Sequence, residues 1–322
     1  MNAFIISRGP QDASYRRVTA HIGITMLIML ALFYGLNELA DGLCDVMLIH
    51  ADATSEAVVR EVLDSAAYLL SFMLPVLFLR MMTPISERVV MPTSPKLPRR
   101  LWLLLPAGLA IIYIASMTNS IILEWLGLSS SGSGFQLIEG MKPYEAVLLY
   151  LASVLVPAFC EEFLFRGAVL GALLPYGKTT AVLGSALLFG FMHQSADQFF
   201  YTTAAGVVLA LLVLNSGSIW VAVLLHMFNN LFTVVQNVLY AQMGREATLL
   251  ICILELVVIG GGLVSLIVLI AAGKWEKDAL TAGTERPSYP LKGFFTLPMT
   301  VYIALCVLHM VLVIILTKGL VR

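Results

Sequence analysis

The amino-acid sequence predicts an all-α protein, a polytopic bundle of about nine transmembrane helices with a cytoplasmic N-terminus. Composition is the first reason: 59% of the 322 residues are hydrophobic and only 12% are charged, whereas soluble proteins carry about 25% charged residues. This number of charged residues is too small to cover the surface of a soluble protein of this length. Much of the chain must therefore contact lipid. The net charge of −1 argues against a nucleic-acid-binding protein, because such a protein needs a basic face.

A series of apolar stretches is the second reason. A helix needs about 20 mostly apolar residues to cross the hydrocarbon core of a bilayer. We predict spans at residues 18–40, 62–82, 101–123, 144–174, 179–199, 200–214, 218–243, 248–273 and 298–316. Basic residues are retained on the cytoplasmic side of short loops, and most of the 19 Lys and Arg residues fall there if the N-terminus is inside. The distribution therefore predicts a multi-pass protein of a cell membrane, with the N-terminus inside and the C-terminus outside.

Three of the predicted spans contain polar and ionisable side chains, which are costly inside a bilayer and therefore mark candidate functional sites. They are Glu161, Glu162 and Arg166 in the fourth span, His193 in the fifth, and His226 and Asn230 in the seventh. On a helix, residues four positions apart share a face, while adjacent residues diverge by about 100°. Glu162 therefore faces Arg166, and we interpret this pair as structural or orienting. Glu161 points elsewhere and can act as a general base.

The depth of these residues along their helices predicts that they meet. Counted from the nearest predicted cytoplasmic turn, Glu161, His193 and Asn230 each lie about 12 to 14 residues along their helices, at ~1.5 Å per residue. His226 lies one turn from Asn230, on the same face of its helix. The sequence therefore predicts one site near the middle of the membrane, to which three helices contribute.

Three motifs connect these residues to a known family. They read EExxxR at residues 161–166, FxxxH at Phe189 to His193 and HxxxN at His226 to Asn230, in this order and in three separate spans. The sequence here resembles the CAAX protease and bacteriocin-processing family of intramembrane peptidases, also called the Abi family, which includes the Ras-converting enzymes. The resemblance covers about residues 159–230.

The resemblance implies an intramembrane endopeptidase, a hydrolase that cleaves a peptide bond of a membrane-associated peptide or protein. Glu161 and His193 would activate a water molecule, while His226 and Asn230 would stabilise the oxyanion. We expect no cofactor. The family has also been described as metal-dependent, and in that case Glu161, His193 and His226 would bind zinc. Membrane lipid and a peptide or protein substrate are the expected partners, in a bacterial inner membrane.

The motifs also divide the chain into three parts. We predict N-terminal transmembrane helices over residues 1–143, a catalytic core over residues 144–243 and two C-terminal helices over residues 244–322. Four intramembrane residues lie outside the motifs. Cys160 could be the nucleophile of a cysteine peptidase, we interpret His21 and His309 as structural, and we assign no role to Glu255.

Three other functions are compatible with part of the pattern. A non-catalytic membrane protein of the bacteriocin self-immunity type would bind a peptide through the same polar cluster. A rhomboid-like serine peptidase would use Ser133, although this serine lies in a Gly/Ser-rich loop. A transporter would show inverted repeats or interrupted helices, and neither is evident in the sequence.

Overall fold

The computed structural model describes residues 9–47, 53–83, 91–93, 99–127, 143–273 and 289–319. Over these residues the chain is almost entirely helical, and an isolated β-bridge joins Thr93 to Ser218. The α-helices are α1 (Gly9–Met47), α2 (Ala53–Met82), α3 (Leu101–Trp125), α4 (Pro143–Glu162), α5 (Leu170–Leu173), α6 (Lys178–Met192), α7 (Ala196–Ser216), α8 (Ile219–Met243), α9 (Ala247–Ala271) and α10 (Leu297–Gly319). The predicted all-α fold is confirmed.

The length and surface of these helices fit a lipid environment. Within the described residues, six stretches are long and apolar enough to cross a membrane, and one of them, Ile219–Ala271, comprises both α8 and α9. Large apolar side chains are exposed on the outer helices, such as Leu256 and Ile267 on α9 and Leu297 on α10. The chain is therefore a multi-pass membrane protein. The number of nine spans and the cytoplasmic N-terminus stay predictions.

A π-helical segment interrupts the fourth predicted span directly after the paired glutamates. Helix α4 ends at Glu162, and Phe163–Val169 form a π-helix that leads into α5. All seven side chains of the π-helix are buried. This segment packs against α2, α6, α7 and α8 and so lies at the centre of the bundle. π-helical turns occur frequently at functional sites because they change the direction of the side chains that follow.

The predicted boundary between the fifth and sixth spans is wrong. The prediction put it between residues 199 and 200, whereas α6 ends at Met192 and α7 begins at Ala196. Gln194 in this turn has a φ of +48°, a left-handed conformation that residues other than glycine rarely adopt. Hydropathy does not locate the turn, because the apolar pair Phe199 and Phe200 follows it and no glycine or proline marks it.

Close contacts between helices hold the core together. Helix α1 packs against α2 and α10, α3 against α7 and α9, and α6 against α7. Gly206 of α7 meets the backbone of α6, since a Cβ atom at this position would lie 2.9 Å from the Cα atom of Ala186. Small residues let membrane helices approach in this way. The contact between α6 and α7 places His193, at the end of α6, against the rest of the bundle.

Gly206→Ala is expected to lower the thermal stability of the protein, because the added methyl group overlaps the backbone of α6 and not a movable side chain. Overpacking of this kind costs about 1–3 kcal/mol. Gly260→Ala in α9 is the matched control, since no heavy atom lies within 4 Å of its added Cβ atom. Thermal unfolding of both variants in detergent measures the difference. Equal unfolding temperatures would show that α6 and α7 are not in contact at Gly206.

Candidate active site

Glu161 is a buried carboxylate at the end of α4. Its side chain is 5% exposed, and the hydroxyl group of Tyr68 on α2 donates a hydrogen bond of 2.6 Å to its Oε1 atom. The Tyr68 ring stacks on Phe72, one turn further along α2, with a centroid distance of 4.6 Å. The Oε2 atom has no hydrogen-bond partner among the described residues. One oxygen of Glu161 is therefore held in place and the other is free to accept a proton.

Glu162 joins Arg166 to His226 in the centre of the bundle. Its Oε1 atom lies 3.1 Å from Arg166 Nη1 and 2.9 Å from His226 Nδ1. All three residues are buried. Glu162 and Arg166 thus face each other as the helical spacing predicts. The contact with His226 was missed, because no local sequence pattern indicates a bond between residues 64 positions apart.

The contact with Glu162 determines how His226 presents its second nitrogen. A carboxylate only accepts hydrogen bonds, so Nδ1 of His226 carries a proton and Nε2 is left for another partner. When this imidazole is protonated, both of its nitrogens donate. Glu162 is therefore a positioning residue for His226 as well as the counter-charge of Arg166.

Phe189 of α6 packs against three of the site residues. The Arg166 guanidinium carbon lies 4.1 Å from the centroid of its ring, a distance at which the cation interacts with the π-system. The imidazoles of His193 and His226 contact the same ring edge-to-face, at centroid distances of 4.9 and 5.9 Å. The phenylalanine of the FxxxH motif therefore brings both histidines to one place. Motif spacing alone does not reveal this packing role.

His193 directly follows α6 and is half-buried. Its Nδ1 atom lies 2.8 Å from the carbonyl oxygen of Phe189. Because a carbonyl only accepts, Nδ1 carries the proton and the neutral ring keeps a lone pair on Nε2. This is the tautomer that a general base or a water-orienting group requires.

The turn after His193 is held by helices outside the motif region. Tyr34 of α1 donates a hydrogen bond of 2.8 Å to the side-chain oxygen of Gln194. Nδ1 of His309 on α10 donates to the backbone carbonyl of Gln194 at 3.2 Å. His309 thus makes the backbone contact expected of a structural histidine. The two bonds stabilise the left-handed conformation of Gln194 and with it the position of His193.

The structure brings the predicted site residues from three helices together. The imidazoles of His193 and His226 contact the same Phe189 ring, and His226 is bonded to Glu162, the neighbour of Glu161 in the chain. Asn230 lies one turn beyond His226 on α8 and is half-buried, and its side-chain oxygen accepts a weak hydrogen bond of 3.5 Å from Asn229.

The three possible zinc ligands each keep one atom without a bond to a described residue. The Oε1 atom of Glu161 is bonded to Tyr68, and the Nδ1 atoms of His193 and His226 are bonded to protein acceptors. A metal-bound histidine ordinarily donates its other ring nitrogen in this way. Among the described residues, no group of three such side chains is gathered closely enough to mark a metal centre, and the zinc-dependent alternative stays a prediction.

The other predicted nucleophiles are not accessible or not described. Cys160 is 0% exposed, so its thiol cannot reach a substrate without a rearrangement of the core, and this argues against a cysteine peptidase. Ser133 lies outside the described residues.

Comparison with known proteins connects the central part of the chain to a family. A family model described as "Type II CAAX prenyl endopeptidase Rce1-like" matches residues 143–232. The "Putative membrane peptidase YdiL" of Bacillus subtilis is 33% identical over 93 residues, which are 28% of this chain and 37% of that protein. The "UPF0177 protein YvdC" of Lactococcus lactis is 22% identical over 180 residues, which are 54% of this chain and 66% of that protein.

These matches cover less than two thirds of the length of either curated relative. No solved structure matches the chain significantly. The segment that matches the family model contains all three motifs and the side chains of α4, α6 and α8 described above. The resemblance of this chain to the family of CAAX proteases and bacteriocin-processing peptidases is therefore confirmed, over residues 143–232.

Proposed function

We propose that this protein is an intramembrane endopeptidase that hydrolyses a peptide bond of a membrane-associated peptide or protein. One observation carries the proposal: the buried Glu161 has one oxygen without a partner among the described residues, beside two imidazoles whose Nδ1 atoms are already bonded. The name of the Bacillus subtilis relative and the family of residues 143–232 support a peptidase. Both relatives are bacterial, which supports a bacterial inner membrane.

Glu161 and His193 activate the water in this mechanism. The water donates one hydrogen bond to Glu161 Oε2 and the other to His193 Nε2, which together orient its lone pair toward the substrate carbonyl. Glu161 takes a proton as the water oxygen forms a bond to the carbonyl carbon, and the π-electrons of the carbonyl move to its oxygen. The route needs no metal ion, because the carboxylate itself removes the proton.

His226 and Asn230 stabilise the oxyanion. The protonated His226 donates from Nε2 and Asn230 donates from its carboxamide nitrogen, both toward the oxygen on which negative charge develops. When the intermediate collapses, the C–N bond breaks and the leaving amine takes the proton from Glu161. The products are a carboxylic acid and an amine, which become a carboxylate and an ammonium group when the acid passes its proton to the amine, and Glu161 is again ionised.

Glu161→Gln is expected to abolish peptide cleavage, because glutamine keeps the shape of the side chain but cannot accept the proton of water. Purified wild-type protein in detergent is tested on a library of quenched fluorescent peptides, with and without a zinc chelator, beside the variant. We expect chelator-resistant turnover in the wild type and a loss of at least about 10²-fold in the variant.

Three results would contradict this mechanism. Chelator-sensitive turnover would require a metal ion. Full activity of Glu161→Gln would show that Glu161 is not the general base. Peptide binding by the wild type without any cleavage would favour the non-catalytic peptide-binding protein.

Tyr68→Phe is expected to lower kcat about tenfold while KM stays unchanged. The hydroxyl group orients the Glu161 carboxylate through one hydrogen bond, and the loss of such a bond to a charged group costs about 1.5–3 kcal/mol. Tyr15→Phe is the matched control, since the Tyr15 hydroxyl is buried without a partner among the described residues. A rise in KM with constant kcat would mean that Tyr68 contacts the substrate instead.

Glu162→Gln is expected to destabilise the protein by about 3–5 kcal/mol, because it leaves the buried guanidinium of Arg166 without its counter-charge. The double variant Glu162→Gln with Arg166→Met removes that unpaired charge and is expected to recover much of the stability. Both variants are expected to lack activity, since both lose the carboxylate that accepts the hydrogen bond of His226 Nδ1. Thermal unfolding and peptide cleavage, measured on the same samples, separate the two roles. An active double variant would contradict the role of Glu162 at His226.

A further inference from the structure

A polar cavity of about 470 Å³ lies between α3, α7, α8 and α9, beside the candidate active site. Most of its lining residues carry a polar group, and the argument below uses Ser120 of α3, Tyr201 of α7, Thr233 and Gln236 of α8, and Glu255 of α9. Polar groups inside a membrane are costly and mark the paths of substrates or ions. Apolar side chains such as Ile112 and Met117 also line the cavity, so it offers a ligand both apolar surface and hydrogen-bonding groups.

The lining of the cavity is rich in hydrogen-bond acceptors. Ser120 and Thr233 donate their hydroxyl protons to carbonyl groups of their own helices, at 3.1 and 3.2 Å, and so offer oxygen lone pairs to the cavity. Gln236 donates from its side-chain nitrogen to Glu255 Oε1 at 2.8 Å, which leaves the amide oxygen of Gln236 as an acceptor. A ligand that fits this set of groups must donate several hydrogen bonds.

Glu255 adds a negative charge that no described residue neutralises. It is half-buried and lies about 12 Å from the start of α9, at ~1.5 Å per residue. Within the described residues it forms no ion pair with Lys, Arg or His, and its one side-chain bond is to a neutral amide. A half-buried carboxylate of this kind is stabilised by a cation that also forms hydrogen bonds. Ammonium and guanidinium groups combine both properties.

The cavity adjoins the active site along α8. Its wall includes Tyr201 of α7. Asn229, also in the wall, donates to the side-chain oxygen of Asn230 at 3.5 Å. Along α8, ten residues separate His226 from Gln236, which corresponds to about 15 Å. An extended peptide covers this length with four or five residues, at about 3.3 Å each.

We propose that this cavity is a specificity pocket that binds a Lys or Arg side chain of the substrate, four or five residues from the cleaved peptide bond. The positive charge pairs with Glu255, and the oxygen atoms of Gln236, Thr233 and Ser120 accept the remaining hydrogen bonds. The pocket rests on the proposed peptidase function, since it selects among substrates of that reaction. It gives a role to the intramembrane carboxylate that lies outside the three motifs.

The test compares wild type with Glu255→Gln on quenched peptides that carry a single Lys, placed at successive distances from the cleaved bond, or Leu at the same position. We expect the wild type to prefer Lys at four or five residues by about tenfold in kcat/KM, through KM. Glu255→Gln should lose this preference, so that its kcat/KM values for the Lys and Leu peptides are equal. Glu255→Lys should instead prefer Glu at that position.

Glu246→Gln is the matched control, because this glutamate is exposed in the turn between α8 and α9. Its preference for Lys should equal that of the wild type. The specificity pocket would be contradicted if Glu255→Gln kept the preference for Lys, or if the wild type preferred no basic residue at any position. Either result would leave the peptidase function intact.

Peptide binding is measured in parallel on the Glu161→Gln protein, so the pocket is tested even if no peptide is cleaved. We expect the Lys peptide to bind about tenfold more tightly than the Leu peptide, and the double variant Glu161→Gln with Glu255→Gln to bind both equally. Equal binding in the presence of Glu255 would overturn the pocket. An absence of cleavage with selective binding would instead overturn the peptidase function alone.

Discussion

The rest of the site depends on the contacts of the Glu162 carboxylate with Arg166 and His226. This carboxylate lies in a fully buried position and balances the charge of Arg166 while it fixes one nitrogen of His226. Arg166 in turn lies over Phe189, whose ring contacts both histidines. The ion pair, the contact of Arg166 with Phe189 and the bond from His226 to Glu162 thus connect α4, the π-helix, α6 and α8. Because an unpaired charge at this depth would be very unfavourable, the four segments are constrained to one relative arrangement.

Two adjacent glutamates at the end of α4 serve two different groups. Glu162 is the last residue of α4 and directs its carboxylate toward Arg166 and α8, while Glu161 meets Tyr68 of α2. The divergence of about 100° between neighbours on a helix separates the two carboxylates. Glu162 is thereby paired with a cation, whereas the described partner of Glu161 is a neutral hydroxyl group.

Features with a local signal could be predicted from the sequence. Composition and long apolar stretches are sufficient for the all-α membrane fold, and helical spacing is sufficient for the contact between Glu162 and Arg166. Contacts between distant helices have no such signal, so the bonds from Tyr68 to Glu161 and from His226 to Glu162 emerge only in three dimensions. The turn at Gln194 was also missed, because hydropathy averages over a window and the helices on both sides of the turn are apolar.

The bonds to Gln194 are donated by Tyr34 and His309, which both lie outside the segment of residues 143–232 that matches the family model. The first and last helices therefore support the residue next to His193, although neither contains a motif. A chimaera that received only the central segment from a homologue would combine the homologue's turn with α1 and α10 of this protein. The side chains of these two helices would then face a turn with which they do not form the same hydrogen bonds. Successful exchange of this core between homologues requires the flanking helices to be transplanted with it.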